Sequence, residues 1–338
     1  VEGYIAGNGP STFKLSRSIA LPGDSTIPVV TGAQLQIEGS DNSIYPFTET
    51  GNGGYLCPPA NLNTATKYRL RISNVNNETY LSDYVPYKPT PPIDSVNWID
   101  DPTGVNIYVN SHDPTGTTRY YQWTYNETWE YTSAEQSGFV WENDSLILAT
   151  ASNQYYYCYH NDSSSLVLIN TTAKLAEDVV YRQPLIFIPV NTQALAIEYS
   201  VLVSQFALAD SAYNYLTLLR SNTEQLGSVF DPLPSQLTGN LHCLTHPNEI
   251  VVGYVSAGTL QQERIFINYR QLPNWQYYIE CPIKDTTVPD DEASMISFFD
   301  GQGYLPIYLN RGILTANFKS CVDCRTQGGS STKPSFMP

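Results

Sequence analysis

Short segments in which apolar and polar residues alternate recur along this chain. A period of two fits strands with one buried and one wet face, and fits little else. Ala33-Gln34-Leu35-Gln36-Ile37-Glu38 and Lys67-Tyr68-Arg69-Leu70-Arg71-Ile72 carry the pattern most clearly. Strands are expected over 3–6, 13–18, 33–38, 44–49, 67–73 and 80–85, with polar, Gly-rich or Pro-rich turns between them at the spacing of a β-sandwich. The pattern resumes at 104–109, 119–125, 146–149, 165–170, 185–189, 196–205, 251–256 and 263–268, and 304–309 is a further candidate.

Two breaks organise the rest. Pro86-Tyr87-Lys88-Pro89-Thr90-Pro91-Pro92 lacks the amide hydrogens that a helix or central strand needs, so it reads as a linker. In 210–226, Ala212, Leu216, Leu219 and Leu226 fall at helical spacing with Thr223 on the same stripe, Asp210 near the start and Gly227 as a stop. The expected fold is mainly β. It has an N-terminal β-sandwich domain over 1–88 and a second, larger β-sandwich-like domain over 92–282 that carries one main helix near 210–226. An irregular C-terminal segment over 283–338 is tied to the second domain and ends in a flexible Gly- and Ser-rich terminus.

Composition narrows the function. Hydrophobic residues make up 41%, enough for packed cores, while charged residues make up only 14%, so Asn, Ser, Thr, Gln and many of the 26 Tyr must cover the surface. The net charge of −15 repels phosphate backbones and argues against a nucleic-acid partner. No stretch reaches the roughly 18 apolar residues of a membrane-spanning helix.

Six cysteines are present, at positions 57, 158, 243, 281, 321 and 324. Disulfides are the favoured use in an exported protein, with Cys281, Cys321, Cys324 and Cys158 as candidates, and Cys281 bonded to Cys321 or Cys324 as the preferred pairing. Cys321-x-x-Cys324 is also half of a zinc site, and free thiols remain open. His242 and His246 flank Cys243 and are weak metal candidates, with an ordinary loop as the plainer reading. His112 before Asp113 reads as a hairpin residue, and no Gly-x-Ser-x-Gly accompanies it. The acidic run Asp290-Asp291-Glu292, with Asp300 downstream, offers oxygen ligands for Ca²⁺ but reads more simply as a solvated loop. Glu127 and Glu130 flank Trp129 as a possible carboxylate pair. The aromatic stretches 120–131 and 155–159 interest us more, because clustered Tyr and Trp with sparse charge make an adaptable binding face. The binding candidates are Tyr121, Trp123, Tyr125, Trp129, Tyr156 and Tyr157, and core packing explains alternate members equally well. No cofactor is expected.

Ordered blocks across nearly the whole chain carry a family resemblance. They include Val1-Glu2-Gly3-Tyr4-Ile5, Gly53-Gly54-Tyr55, Tyr120-Tyr121-Gln122-Trp123, Gly227-Ser228-Val229-Phe230-Asp231-Pro232, Val252-Gly253-Tyr254 and Cys321-Val322-Asp323-Cys324-Arg325. The chain resembles the Bacteroidota outer-membrane lipoproteins grouped as domain of unknown function 4249. Its N-terminal blocks are similar to the carboxypeptidase-regulatory, transthyretin-like module, which implies an Ig/transthyretin-like sandwich there. The resemblance implies a cell-surface protein held in the outer membrane by a lipid on a Cys upstream of Val1. It also implies a non-catalytic, substrate-binding or accessory role beside a TonB-dependent transporter. A structural subunit of a larger outer-membrane secretion or barrel-assembly complex is the alternative, and a metal-dependent or glycoside hydrolase ranks well below both. Ser25, Ser95, Ser145 and Ser211 sit in Asp-Ser-apolar or Asp-Ser-Thr tripeptides that resemble O-glycosylation sites of the same bacteria.

Overall fold

A computed structural model describes residues 1–18, 27–224, 237–272, 275, 277, 279, 281 and 285–338 of the chain. The fold is mainly β, as the alternation requires. In Lys67–Ser73 the residues Tyr68, Leu70 and Ile72 are buried, and in Gln34–Gly39 so are Leu35 and Ile37. The two strands pair antiparallel with Leu35 opposite Ile72 and Ile37 opposite Leu70. Each such side chain contributes about 1.5–3 kcal/mol by leaving water.

The first sheet draws on both sides of the expected boundary. Its neighbours run from Leu241–Cys243 through Thr79–Ser82, Lys67–Ser73, Val85–Lys88, Ala257–Gly258, Glu2–Ala6, Ser11–Lys14 and Gly54–Cys57 to Thr48–Gly51. Leu241, Val255 and Ala257 are buried in the same core as Ile5, Phe13, Tyr55 and Tyr68. Residues 86–88, read as the start of the linker, belong to Val85–Lys88, an interior strand of this sheet. It tolerates Pro86 because that residue stands opposite Lys67 at the last pair of one ladder, while the other ladder runs through Tyr87 and Lys88. The segment after it is clasped. The Thr90 amide donates to Thr259 Oγ1 at 2.6 Å, and Thr90 Oγ1 donates to the Thr259 carbonyl and accepts from the Ala207 amide at 2.9 Å.

Beyond this clasp two sheets face each other. One has the order Ile93–Asp101, Gly104–His112, Val179–Pro189, and the other Tyr157–Ser163, Tyr120–Thr132, Glu198–Ala207, Leu260–Asn268, with Leu168–Thr171 beside the start of Tyr120–Thr132. Val105, Ile107 and Val109 from one sheet meet Tyr121, Trp123, Tyr199, Val201 and Val203 from the other, all fully buried. The helix Asp210–Glu224 buries Ala212 and Tyr215, and Ala212 packs with Ile169 and Leu208. Its expected end at Leu226 and Gly227 lies outside the described residues.

Residues 285–338, part of the segment expected to be irregular, carry regular elements. A second helix, Glu292–Gln302, starts where Asp291 accepts the Ser294 amide at 2.9 Å and stops at Gly303 in the left-handed region. Asp291 is therefore a helix cap and not part of a solvated acidic loop. The hairpin Tyr304–Asn310 with Ile313–Phe318 follows, turning at Arg311 and Gly312, both at positive φ. Phe298, Phe299, Leu314 and Ala316 form a third core against a second hairpin, Phe139–Glu142 with Ser145–Leu148. The last residues are docked and not free. Tyr159 and Ser330 exchange two backbone hydrogen bonds, Arg264 lies 3.8 Å over the Phe336 ring, and Met337 is 6% exposed.

Candidate functional site

The structure divides the expected aromatic face. Odd-numbered residues of Tyr120–Thr132 point into the sandwich, so Tyr121 and Trp123 are fully buried, stacked at 5.7 Å, and unavailable to a partner. Their polar tips are satisfied inside: Tyr121 donates to Asp178 at 3.0 Å and Trp123 to Gln205 at 2.9 Å. Tyr125 and Trp129 lie half-buried against the same core. Glu127 and Glu130 fall on opposite faces of the strand and do not converge. Burial raises both carboxyls above their usual range, against the donated hydroxyls of Tyr199 and Tyr159 respectively.

Other candidates find ordinary partners. His242 faces Asp83 at 3.2 Å and His246 faces Glu78 at 3.6 Å, both at the surface. Among the described residues no trio of His, Cys, Asp or Glu could hold a metal. His112 pairs with Asp94 at 2.8 Å. Burial opposes the charge on Asp113, yet donors from Thr115, Thr117 and Thr118 outweigh it and hold this carboxyl well below the usual range. Ser145 is exposed just after the turn at Asn143 and Asp144. Ser95 accepts the side-chain amides of Asn97 and Asn110, Ser211 sits 2.6 Å from the Tyr254 hydroxyl, and Ser25 lies outside the described residues.

The disulfides join the four expected cysteines as Cys281–Cys321 and Cys158–Cys324, while Cys57 and Cys243 are free and buried. Both bonds anchor one short segment, 321–324, and beside it opens a cleft of about 220 Å³. Phe139 and Trp141 of one hairpin, Tyr155 and Tyr156, and Leu305 with Pro306 give its apolar surface. The walls are fixed: Ser137 donates to the Pro306 carbonyl, the Gly138 amide to Ile307, and the Cys324 amide to Tyr155 at 2.9 Å. Trp141 packs 4.6 Å from Phe299 and donates its indole N–H to Asp300 at 2.8 Å.

The polar side is equally set. Asp323, 1% exposed on its side chain, takes two bonds from the Arg325 guanidinium, Nε at 2.9 Å and Nη2 at 2.8 Å, and holds that guanidinium above its usual pKa. The guanidinium lies over the Tyr155 ring, its central carbon 3.2 Å from the ring centre. Glu142 and Lys319 stand at the exposed rim. Of the six expected binding residues only Tyr156 reaches this cleft, and Tyr157 packs edge-on against it at 4.8 Å. Phe139, Trp141, Gln154, Tyr155, Asp323 and Arg325 are additions. The signal for the last two was their position inside and just after the Cys321-x-x-Cys324 pair.

Comparison with curated proteins finds no match for the chain. The cleft is built from residues 137–156 on one side and 305–325 on the other, and the family comparison reaches only the first of these. The family model described as Domain of unknown function (DUF4249) matches residues 1–264, well over half of the 338-residue sequence, and the chain belongs to that family.

Proposed function

We propose that this chain is a surface-exposed outer-membrane lipoprotein of a Bacteroidota cell envelope that binds substrate for, or caps, a TonB-dependent transporter without catalysing a reaction. The observation that carries the reading is the pair of disulfides that hold the cleft. Such bonds persist in oxidising surroundings outside the cytoplasm, and here they tie the segment beside the cleft to Cys158 and Cys281. An aromatic cleft with few, fixed polar groups suits capture and release of a ligand. Family membership supports the envelope setting through the resemblance described above. An N-terminal Ig/transthyretin-like module, its sheet completed by Leu241–Cys243 and Ala257–Gly258, belongs to the same proposal.

The test is affinity capture of the chain from solubilised outer membranes after mild cross-linking, with partners identified by mass spectrometry. A TonB-dependent barrel recovered in stoichiometric amount supports the proposal. A secretion or barrel-assembly complex in its place favours the structural-subunit role. Recovery only in the cytosolic fraction sinks both.

A further inference from the structure

The cleft beside residues 321–324 has a chemistry specific enough to name a ligand class. Its volume of about 220 Å³ falls below the roughly 300 Å³ at which clefts for drug-sized ligands begin, so it accommodates a single ring or one unit of a longer chain. Four aromatic side chains, Phe139, Trp141, Tyr155 and Tyr156, line it. Aromatic faces carry partial negative charge and attract the weakly positive C–H edge of a saturated ring.

The polar groups are of a different kind from those of an ion site. Arg325 is neutralised by Asp323, and Lys319 and Glu142 at the rim carry opposite charges, so the four together are formally neutral. An anionic ligand also meets the field of a chain with net charge −15. What the cleft offers is planar hydrogen-bonding groups. Asp323 takes Nε and Nη2 of Arg325 and leaves Nη1 without a carboxylate. The half-buried Gln154 amide has no side-chain partner among the described residues. Asn153 closes the turn before it by accepting the Thr150 amide, which fixes where Gln154 stands.

A molecule that presents an apolar C–H face and a rim of uncharged hydroxyls in one ring matches both halves of this surface. We propose that the cleft binds a pyranose ring of a neutral saccharide, the C–H face against Tyr156 and Trp141 and the hydroxyls toward Gln154 and Arg325. This deepens the binding role above and rests on it. One ring held in so small a cleft binds weakly, in roughly the millimolar range.

The experiment is isothermal titration, with Trp fluorescence as a second readout, of the intact disulfide-bonded chain. The probes are glucose, galactose, mannose and N-acetylglucosamine and their α- and β-linked dimers. At least one binds, Tyr156→Ala weakens it at least tenfold, and Gln154→Leu weakens it about fivefold with unchanged circular dichroism. Tyr181→Ala, at an exposed site in Val179–Pro189 well removed from the cleft in sequence and sheet, leaves it unchanged. Failure of all probes to bind the folded chain overturns the proposal, as does binding that survives Tyr156→Ala and Gln154→Leu together. A cleft that instead takes charged amino acids or peptides also overturns it while leaving the general binding role standing. Loss of the barrel partner in the capture experiment has the reverse effect.

Discussion

Replacing Cys158 and Cys324 together by serine cuts the link between the strand Tyr157–Ser163 and the tail. The bonded residues are 166 apart in sequence, and loop closure over that length is worth about 5 kcal/mol of denatured-state entropy at 25 °C. Cys281–Cys321 closes only 40 residues, worth about 4 kcal/mol by the same relation. It lies inside the larger loop and shortens it, which trims the outer value by only a few tenths of a kcal/mol. The outer replacement should therefore cost the more of the two, by about 1 kcal/mol. The bond from Tyr131 Oη to the Cys324 carbonyl at 2.9 Å survives the substitution and limits the damage in the native state. Urea unfolding followed by tryptophan fluorescence measures both variants. With a slope of roughly 1–3 kcal/mol/M, the outer variant's midpoint falls by at least about 1.5 M. A loss below about 1 kcal/mol for Cys158→Ser with Cys324→Ser, or a larger loss for the inner pair, refutes loop closure as what these bonds supply.

Burial and the neighbouring Asp285 raise the Glu135 carboxyl above its usual range, although Asn317 donates to both carboxylates. The folded chain thus holds this proton more tightly than the unfolded one. Its contribution is complete at acid pH and is lost as pH climbs through the raised pKa, so Glu135→Gln should raise the thermal midpoint at pH 7–8 and not at pH 4. Differential scanning fluorimetry across that range decides it, and an equal shift at both pH values would falsify the coupling. Thr90→Val removes the hydroxyl that joins Thr259 to Ala207 and leaves the buried Ala207 amide unpaired, a cost of about 2–3 kcal/mol. Chemical denaturation reads it, and a change under 0.5 kcal/mol, an order-of-magnitude threshold, contradicts the clasp.

Much of the β architecture was legible because alternation reports which face of a strand is dry, and Lys67–Ser73 buries the side its pattern nominates. Alternation within one segment also decides between core and surface, but only once the facing sheet is known. That is why Trp123 passed for a binding residue while its indole sits against Gln205. The tail escaped notice for a different reason. Its helix carries little amphipathic signal, since its aromatic pair Phe298-Phe299 is adjacent, and Trp141, its partner, is more than 150 positions away in sequence. The cleft depends on the same long-range contact and on which cysteine meets which, and six cysteines allow many pairings. Asp323 and Arg325 acquire a shared role only after Cys158 has fixed the segment beside Tyr155.

The two-residue parallel strand Ala257–Gly258 stands between Glu2–Ala6 and Val85–Lys88 and joins them into one sheet. A ribosome that has released only the first hundred residues has made both flanks of that sheet but not the piece that spans the gap. Two half-sheets with open edges must then wait for some 160 further residues, a delay during synthesis in which unpaired edges invite aggregation. A fragment cut after residue 88 keeps those open edges permanently.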